Sequence, residues 1–383
     1  MKSWEEYIKS APDIKYAHYW DLGPSVCLGL NRIPRGLKLR AKTISVKKLS
    51  TFGKNSDIEK LINFIALWRG RGKTFKLKIK LPLNLVNLDY VQLYSLMLSE
   101  GSFRNEFRLH VPEEIFHKIL TNSLTNLLGK QVLNFRYTKK FKNINRTTFP
   151  AIIRYLFPIP EHIPKFILEN KKFLRVYLRI AFEAEGSPIF VESKRYIRLV
   201  RSIDISPILK NFDMPIEAKM PFGEFKNKHP RLANIILDNP PKTLLGEHLI
   251  LLNNFNIFNT IKPELIRRNK TSFRRGEFSA KWALHIYSED LEKFAREIGF
   301  LTKNKRSKML RMLKVKGRRR KLSAFNEVIK NLQKDGIFHT KDFSREMKKR
   351  GYKSNSRAFL WRYKKYGLIK TIKHGIYEIK HHP

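Results

Sequence analysis

Two stretches of this chain share one skeleton, and that repeat restricts the fold more than any other feature. Leu93 to Phe103 reads LYSLMLSEGSF, and Leu178 to Pro188 reads LRIAFEAEGSP. In each, a leucine is followed seven residues later by a glutamate and then by Gly-Ser; the glutamates, Glu100 and Glu185, stand 85 positions apart. A carboxylate at the end of an otherwise apolar helix is costly unless it is solvated, paired or bound to a metal. Meeting the arrangement twice predicts a duplicated unit with work for a pair of acids.

Charge limits the partner. The 383 residues carry 78 Lys and Arg against 33 Asp and Glu, a net charge of +45 at pH 7. A chain this basic predicts a polyanionic partner, nucleic acid first. Hydrophobic residues make up 42%, which argues against a disordered polycation and allows two or three domains with a sizeable core. Cys27 is the sole cysteine. It excludes an internal disulfide and a cysteine-based zinc site, and a reducing interior is expected, cytoplasmic and nucleoid-associated when bound. No run of about 18 apolar residues marks a membrane span. The opening MKSWEEYIKS lacks the order of a secretory signal, and no amphipathic anchor helix stands out, so no membrane partner is expected.

Along the chain, residues 1–82 form a segment of unclear fold. Within it DIEKLINFIALW, Asp57 to Trp68, has helical apolar spacing and predicts a helix. The RGRGKT that follows is a basic turn rather than a phosphate loop, because Leu67 stands where that pattern needs glycine. Residues 83–172 and 173–313 read as two related halves, each opening on an acid-ended helix and continuing in alternating strands. Phe107, Leu109 and Val111 alternate with Arg108 and His110; Leu133, Phe135 and Tyr137 with Asn134 and Arg136; Ile197 and Leu199 with Arg198; Trp282, Leu284 and Ile286 with Ala283, His285 and Tyr287. One face would pack on helices, and the other would offer donors to base edges and phosphates. Ser288 is the expected N-cap of the last helix. Residues 205–248, broken by prolines, look like an insertion in the second half.

A basic linker, KVKGRRRK at 314–321, leads to a C-terminal module at 322–383. Its helix–helix–helix–hairpin order predicts a winged helix, with Asn355, Ser356, Arg357 and Arg362 as candidates to face DNA. From Leu301 onward there are 26 Lys and Arg against 5 Asp and Glu, an electrostatic footprint for nucleic acid.

If the two acid-ended helices pack side by side, both glutamates arrive at one end. They repel there unless something positive lies between them, and a magnesium ion is the simplest answer because it takes oxygen ligands and shares its shell with phosphate and water. Two such acids at the centre of a basic, two-fold surface suit hydrolysis of phosphodiesters on both strands of a duplex.

On these residues the chain resembles a single-chain, two-motif LAGLIDADG homing endonuclease. LYSLMLSEG and LRIAFEAEG are similar to its motif helices, IPKFILENKKF to the approach to the second, SKRYIRLVRS to the strand after it, and WALHIYSEDLEKFAREIGFLTKNKRSKML to the closing strand, helix and lysine turn. The resemblance implies an α+β fold, an αββαββα unit repeated with both motif helices at the interface and saddle-shaped antiparallel sheets on the DNA major groove. It implies Mg2+ held by Glu100 and Glu185 with the flanking Gly101 and Gly186, and Lys305 beside the active centre. It also implies strand residues on double-stranded DNA: Arg108, His110, Asn134, Arg136, Lys194, Arg195, Arg198 and His285. A monomer with internal pseudo-two-fold symmetry follows from the duplication.

The chain departs from the pattern in places. Ser95 and bulky Ile180 stand where glycine often allows close helix approach, Leu98 where an acid is frequent, and the first half has no turn matching Lys305. Unequal active centres are therefore expected. The chain lacks the ends of an intein and reads as free-standing. Two alternatives remain open: a non-catalytic DNA-binding transcription regulator on the same fold, and a maturase that binds intron RNA.

Overall fold

The computed structural model describes residues 4–33, 39, 42–52, 57–69, 73–102, 107–141, 144–150, 152–191, 194–209, 212–213, 218–241, 245–269, 276–287, 290–314, 328, 332, 336–349, 360–361, 364 and 369–379. Near the N-terminus, β1 (Cys27–Leu30), β2 (Thr43–Ser45), β3 (Ile62–Arg69) and β4 (Lys73–Leu77) form an antiparallel sheet in the order β2-β1-β3-β4. The expected helix over Asp57–Trp68 is corrected here. Only Asp57–Lys60 is helical, and the chain then enters β3. Ile65 is buried between strands on either side and Ile62 is buried opposite Leu30, and partners for this β-branched and aromatic run outweigh its helical spacing.

The first repeat runs α1 (Leu88–Glu100), β5 (Gly101–Ser102), β6 (Phe107–Val111), α2 (Glu114–Leu128), β7 (Tyr137–Phe141), β8 (Ile144–Phe149) and α3 (Ile153–Leu156), with sheet order β5-β6-β8-β7. The second runs α4 (Lys171–Glu185), β9 (Gly186–Val191), β10 (Lys194–Asp204), β11 (Lys219–Pro221), α5 (Phe222–Lys228), α6 (Pro230–Asp238), α7 (Leu245–Asn253), β12 (Asn259–Arg268), β13 (Phe278–Tyr287), α8 (Leu291–Glu297) and α9 (Lys303–Lys314), with sheet order β9-β10-β13-β12-β11. All these pairings are antiparallel. The α+β expectation holds: the αββαββα order occurs twice, and the second copy is widened by β11 and the helices between β10 and β12.

Two local expectations give way. Residues 130–135 form a 3-10 turn, so Leu133 and Phe135 belong to no strand, and the strand begins only at Tyr137. The turn follows Gly129, whose φ of 80° redirects the chain after α2. The closing helix α8 is preceded by Asp290 as N-cap, while Ser288 lies outside the described residues.

The motif helices α1 and α4 pack against each other in the core. Both start from asparagine caps: Asn87 Oδ1 accepts from the Tyr90 N–H at 2.8 Å, and Asn170 Oδ1 from Lys172 and Phe173. Midway, the buried Ser95 hydroxyl donates to the Tyr177 carbonyl at 2.8 Å, and the Tyr94 and Tyr177 rings stack with centroids 5.9 Å apart. A side chain reaching the facing helix backbone marks close approach, and bulky Ile180 is accommodated in the core, where it is buried.

In the C-terminal module, β14 (Ile337–His339), α10 (Thr340–Lys349), β15 (Ile369–Lys373) and β16 (Ile376–Ile379) are described, with sheet order β14-β16-β15 and a hairpin turning at Gly375, φ 76°. The other two expected helices lie almost entirely outside the described residues, as do Asn355, Ser356, Arg357 and Arg362. Among the described residues, no helix is long and apolar enough to cross a membrane.

Candidate metal centre and nucleic-acid surface

Glu100 and Glu185 are the last residues of α1 and α4, and Gly101 and Gly186 open the strands that follow. The glycines are needed for lack of room. A Cβ on Gly101 would stand 2.6 Å from the Met97 carbonyl oxygen, and one on Gly186 would stand 2.4 Å from that of Phe182. Each backbone N–H donates to that same carbonyl, closing the helix as the chain extends away. The Glu-Gly dipeptide therefore ends a helix while aiming its carboxylate past the end.

The charge of Glu185 reaches Glu100. Burial pushes the Glu100 carboxyl up to about 7, helped by the charges of Glu185 and Glu113 and opposed by Arg201 and Lys305. Burial likewise raises Glu185, against Arg201 and Lys305. Arg201 Nη1 stands 3.0 Å from Glu185 Oε1. Lys305 is at the same centre. Burial lowers its ammonium, and Glu183, Glu113, Glu100 and Glu185 pull it back up. Its Nζ donates to the Glu183 carbonyl.

The Glu183 side chain organises the turn before Lys305. It is 1% exposed and accepts from Leu301 N at 2.5 Å, Thr302 N at 3.1 Å and Thr302 Oγ1 at 2.7 Å. Thus α4 directs one acid to the shared centre and, two residues earlier, uses another to hold the loop that brings in the lysine.

Sequence reasoning missed Arg201, Glu183 and Glu113. Arg201 had a signal: along β10 it takes the same parity as the buried Ile197 and Leu199, where a cation needs a partner. Glu183 had only its place in FEAEG, and Glu113, just before α2, had none.

The sheet faces divide the expected DNA contacts. In the first sheet, Arg108 stands opposite Thr148, which in turn stands opposite Tyr137, and His110 opposite Arg146, which stands opposite Lys139, so all of these share one face. His110, Tyr137 and Lys139 are exposed, and Arg108 and Arg146 are half-buried. The Phe141 ring lies 5.9 Å from the His110 ring and 4.6 Å from Lys139 Nζ, giving a face both basic and aromatic. Asn134 and Arg136 are exposed but lie in and just after the 3-10 turn rather than on a strand.

In the second sheet the expectation for His285 is corrected. It is 4% exposed, with its ring 3.1 Å from Glu264 Oε1 and 5.2 Å, between centroids, from that of Tyr196. The strand is covered on both faces over most of its length, so alternation could not tell its outer side chains from its core. Arg198 is ion-paired with Glu264. Arg195 donates to the Met312 carbonyl at 2.8 Å, which ties it to α9. Lys194 opens β10 opposite Val191.

No family model and no curated protein matches the chain. Among solved structures it is similar to the homing endonuclease I-DmoI in complex with DNA and manganese. There the identity is 16%, the match covers 56% of this chain and 98% of that one, and the TM-score is 0.30. It is also similar to the N-terminal LAGLIDADG domain of DUF199/WhiA, at 12% identity, covering 58% and 88% of the two chains with a TM-score of 0.30. Likenesses this distant leave the function to be argued from the residues of the chain itself.

Proposed function

We propose that the chain is a site-specific double-strand DNA endonuclease that works with magnesium. The observation that carries the reading is the meeting of Glu100 and Glu185 at one end of the helix pair, where the charge of one raises the other. Among the described residues no group of three or more His, Cys, Asp or Glu gathers for a metal. Two carboxylates alone fit an ion such as magnesium, which keeps much of its shell for water and phosphate. Glu100 and Glu185, with the backbone of Gly101 and Gly186, would hold it, and a bound divalent cation would polarise the phosphodiester and activate water.

The chain supplies the rest. Lys305 would present its ammonium to a phosphate oxygen where negative charge develops. Arg201 would hold Glu185 in one orientation. The basic face of the first sheet would take the backbone and base edges, and the C-terminal module, as a winged helix, would lengthen the contact. The test is digestion of host genomic DNA with magnesium and sequencing of the new ends, beside Glu185→Gln. Ends clustered at a few sites and absent with the variant support the nuclease; their absence, with tight salt-dependent binding kept, rejects it.

One observation favours a second reading, a DNA-binding regulator. Arg201 already neutralises Glu185 at 3.0 Å, so that acid has a partner without a metal. On this reading neither Glu100→Gln nor Glu185→Gln weakens binding, and magnesium produces no ends.

A further inference from the structure

The two sheets carry charge differently. Among the described residues, the four strands of the first contain no aspartate or glutamate. The second has Glu264 in the body of β12, within reach of Arg198 and His285, which are directly opposed on β10 and β13. A β-bulge puts it there: Pro263 pairs with Trp282 and Leu265 with Lys281, so Glu264 is the extra residue. Bulges interrupt a ladder and re-aim a side chain.

The re-aimed carboxylate is firmly held. Arg198 donates from Nε to Oε1 at 3.1 Å and from Nη2 to Oε2, and His285 Nε2 lies 3.1 Å from Oε1. Burial pushes the Glu264 carboxyl upward, yet the hydrogen bonds from His285 and Arg198 outweigh it and hold it at about 2. The Arg198 side chain is 27% exposed. A guanidinium gripped side-on through Nε and Nη2 keeps its other edge, formed by Nη1 and the second Nη2 hydrogen. Two parallel N–H groups of that kind match O6 and N7 of guanine in the major groove.

We propose that Glu264 is a specificity-determining residue: it fixes Arg198 so that the remaining edge reads one guanine of a bound duplex, and its charge keeps that arginine from acting as a general phosphate clamp. A loose arginine gains from any phosphate within reach, and such attraction carries no sequence information. The inference rests on the DNA-binding reading above and adds a base and a position to it.

The experiment selects duplexes from a randomised pool with the full chain, in parallel for wild type, Glu264→Gln and Arg198→Lys, and measures each protein's affinity for the unselected pool. The wild type should enrich a defined sequence. Glu264→Gln should lose about tenfold of the preference for guanine at one position while binding the unselected pool several-fold more tightly. Arg198→Lys keeps the charge but not the fork, so it should lose the same guanine, which guards against a Glu264 variant that folds poorly. Selection by the wild type with that guanine preference unchanged in both variants overturns the proposal alone. No enriched sequence from the wild type overturns it together with the sequence-specific reading.

Discussion

Glu183 shows how much one buried side chain can decide. It accepts three hydrogen bonds from the turn at Leu301 and Thr302, and its carbonyl takes the Lys305 ammonium. Glu183→Ala leaves those donors without an acceptor in a buried place, and we expect a loss of about 2–3 kcal/mol of stability by urea titration. Lys305 should lose its position as well, so binding of phosphate-rich ligands near the centre should weaken more than the stability loss explains. His248 makes a second residue-scale case. It is fully enclosed, with Nε2 3.1 Å from the Tyr177 hydroxyl, and burial lowers its imidazole from the ordinary 6.5 to about 3. The folded chain thus keeps it neutral while the unfolded chain takes up a proton below 6.5. The stability it contributes is complete above that value and is lost as pH falls towards 3, at up to about 1.4 kcal/mol per pH unit. Unfolding measured between pH 6.5 and 5 should show this slope, and His248→Gln should flatten it.

At the scale of elements, the junction of helix and strand is the sensitive point. Gly186→Ala places a methyl 2.4 Å from the Phe182 carbonyl oxygen, so the end of α4 must shift. We expect a melting temperature lower by several degrees, equivalent to about 1–3 kcal/mol, and weaker divalent-ion binding because Glu185 moves with its helix end. The same junction explains what the sequence could reveal. An acid followed by glycine after an apolar helix is a local pattern with a steric cause, so both motif helices and both carboxylates were legible. Lys305 also fell at the centre, on the strength of the turn around it. Asp57–Trp68 and residues 130–135 were misread because their conformations are fixed by partners distant in sequence or by the turn at Gly129. His285 was misjudged for a related reason. Alternation separates core from solvent only where one side of a strand is wet, and β13 is covered on both sides over most of its length.

For the whole molecule, charge dominates encounter with any polyanion. A chain of net charge +45 should bind duplex DNA with an affinity that falls steeply with salt. Lys139→Ala, on the exposed face of the first sheet, should lower the slope of log affinity against log salt by about 1. A titration at several salt concentrations checks this, and an unchanged slope would take Lys139 off the contact surface.

The two repeats joined in one chain have also ceased to be interchangeable. One sheet has four strands and the other five; the centre draws its lysine from the second repeat and pairs that repeat's acid with an arginine. Turning such a body half a revolution about its internal axis does not restore it. A duplex lying across it end for end would meet a different set of groups, so a bound duplex acquires a left and a right. On the proposed function, such a body would recognise heading as well as address, which two identical subunits on a palindrome cannot do.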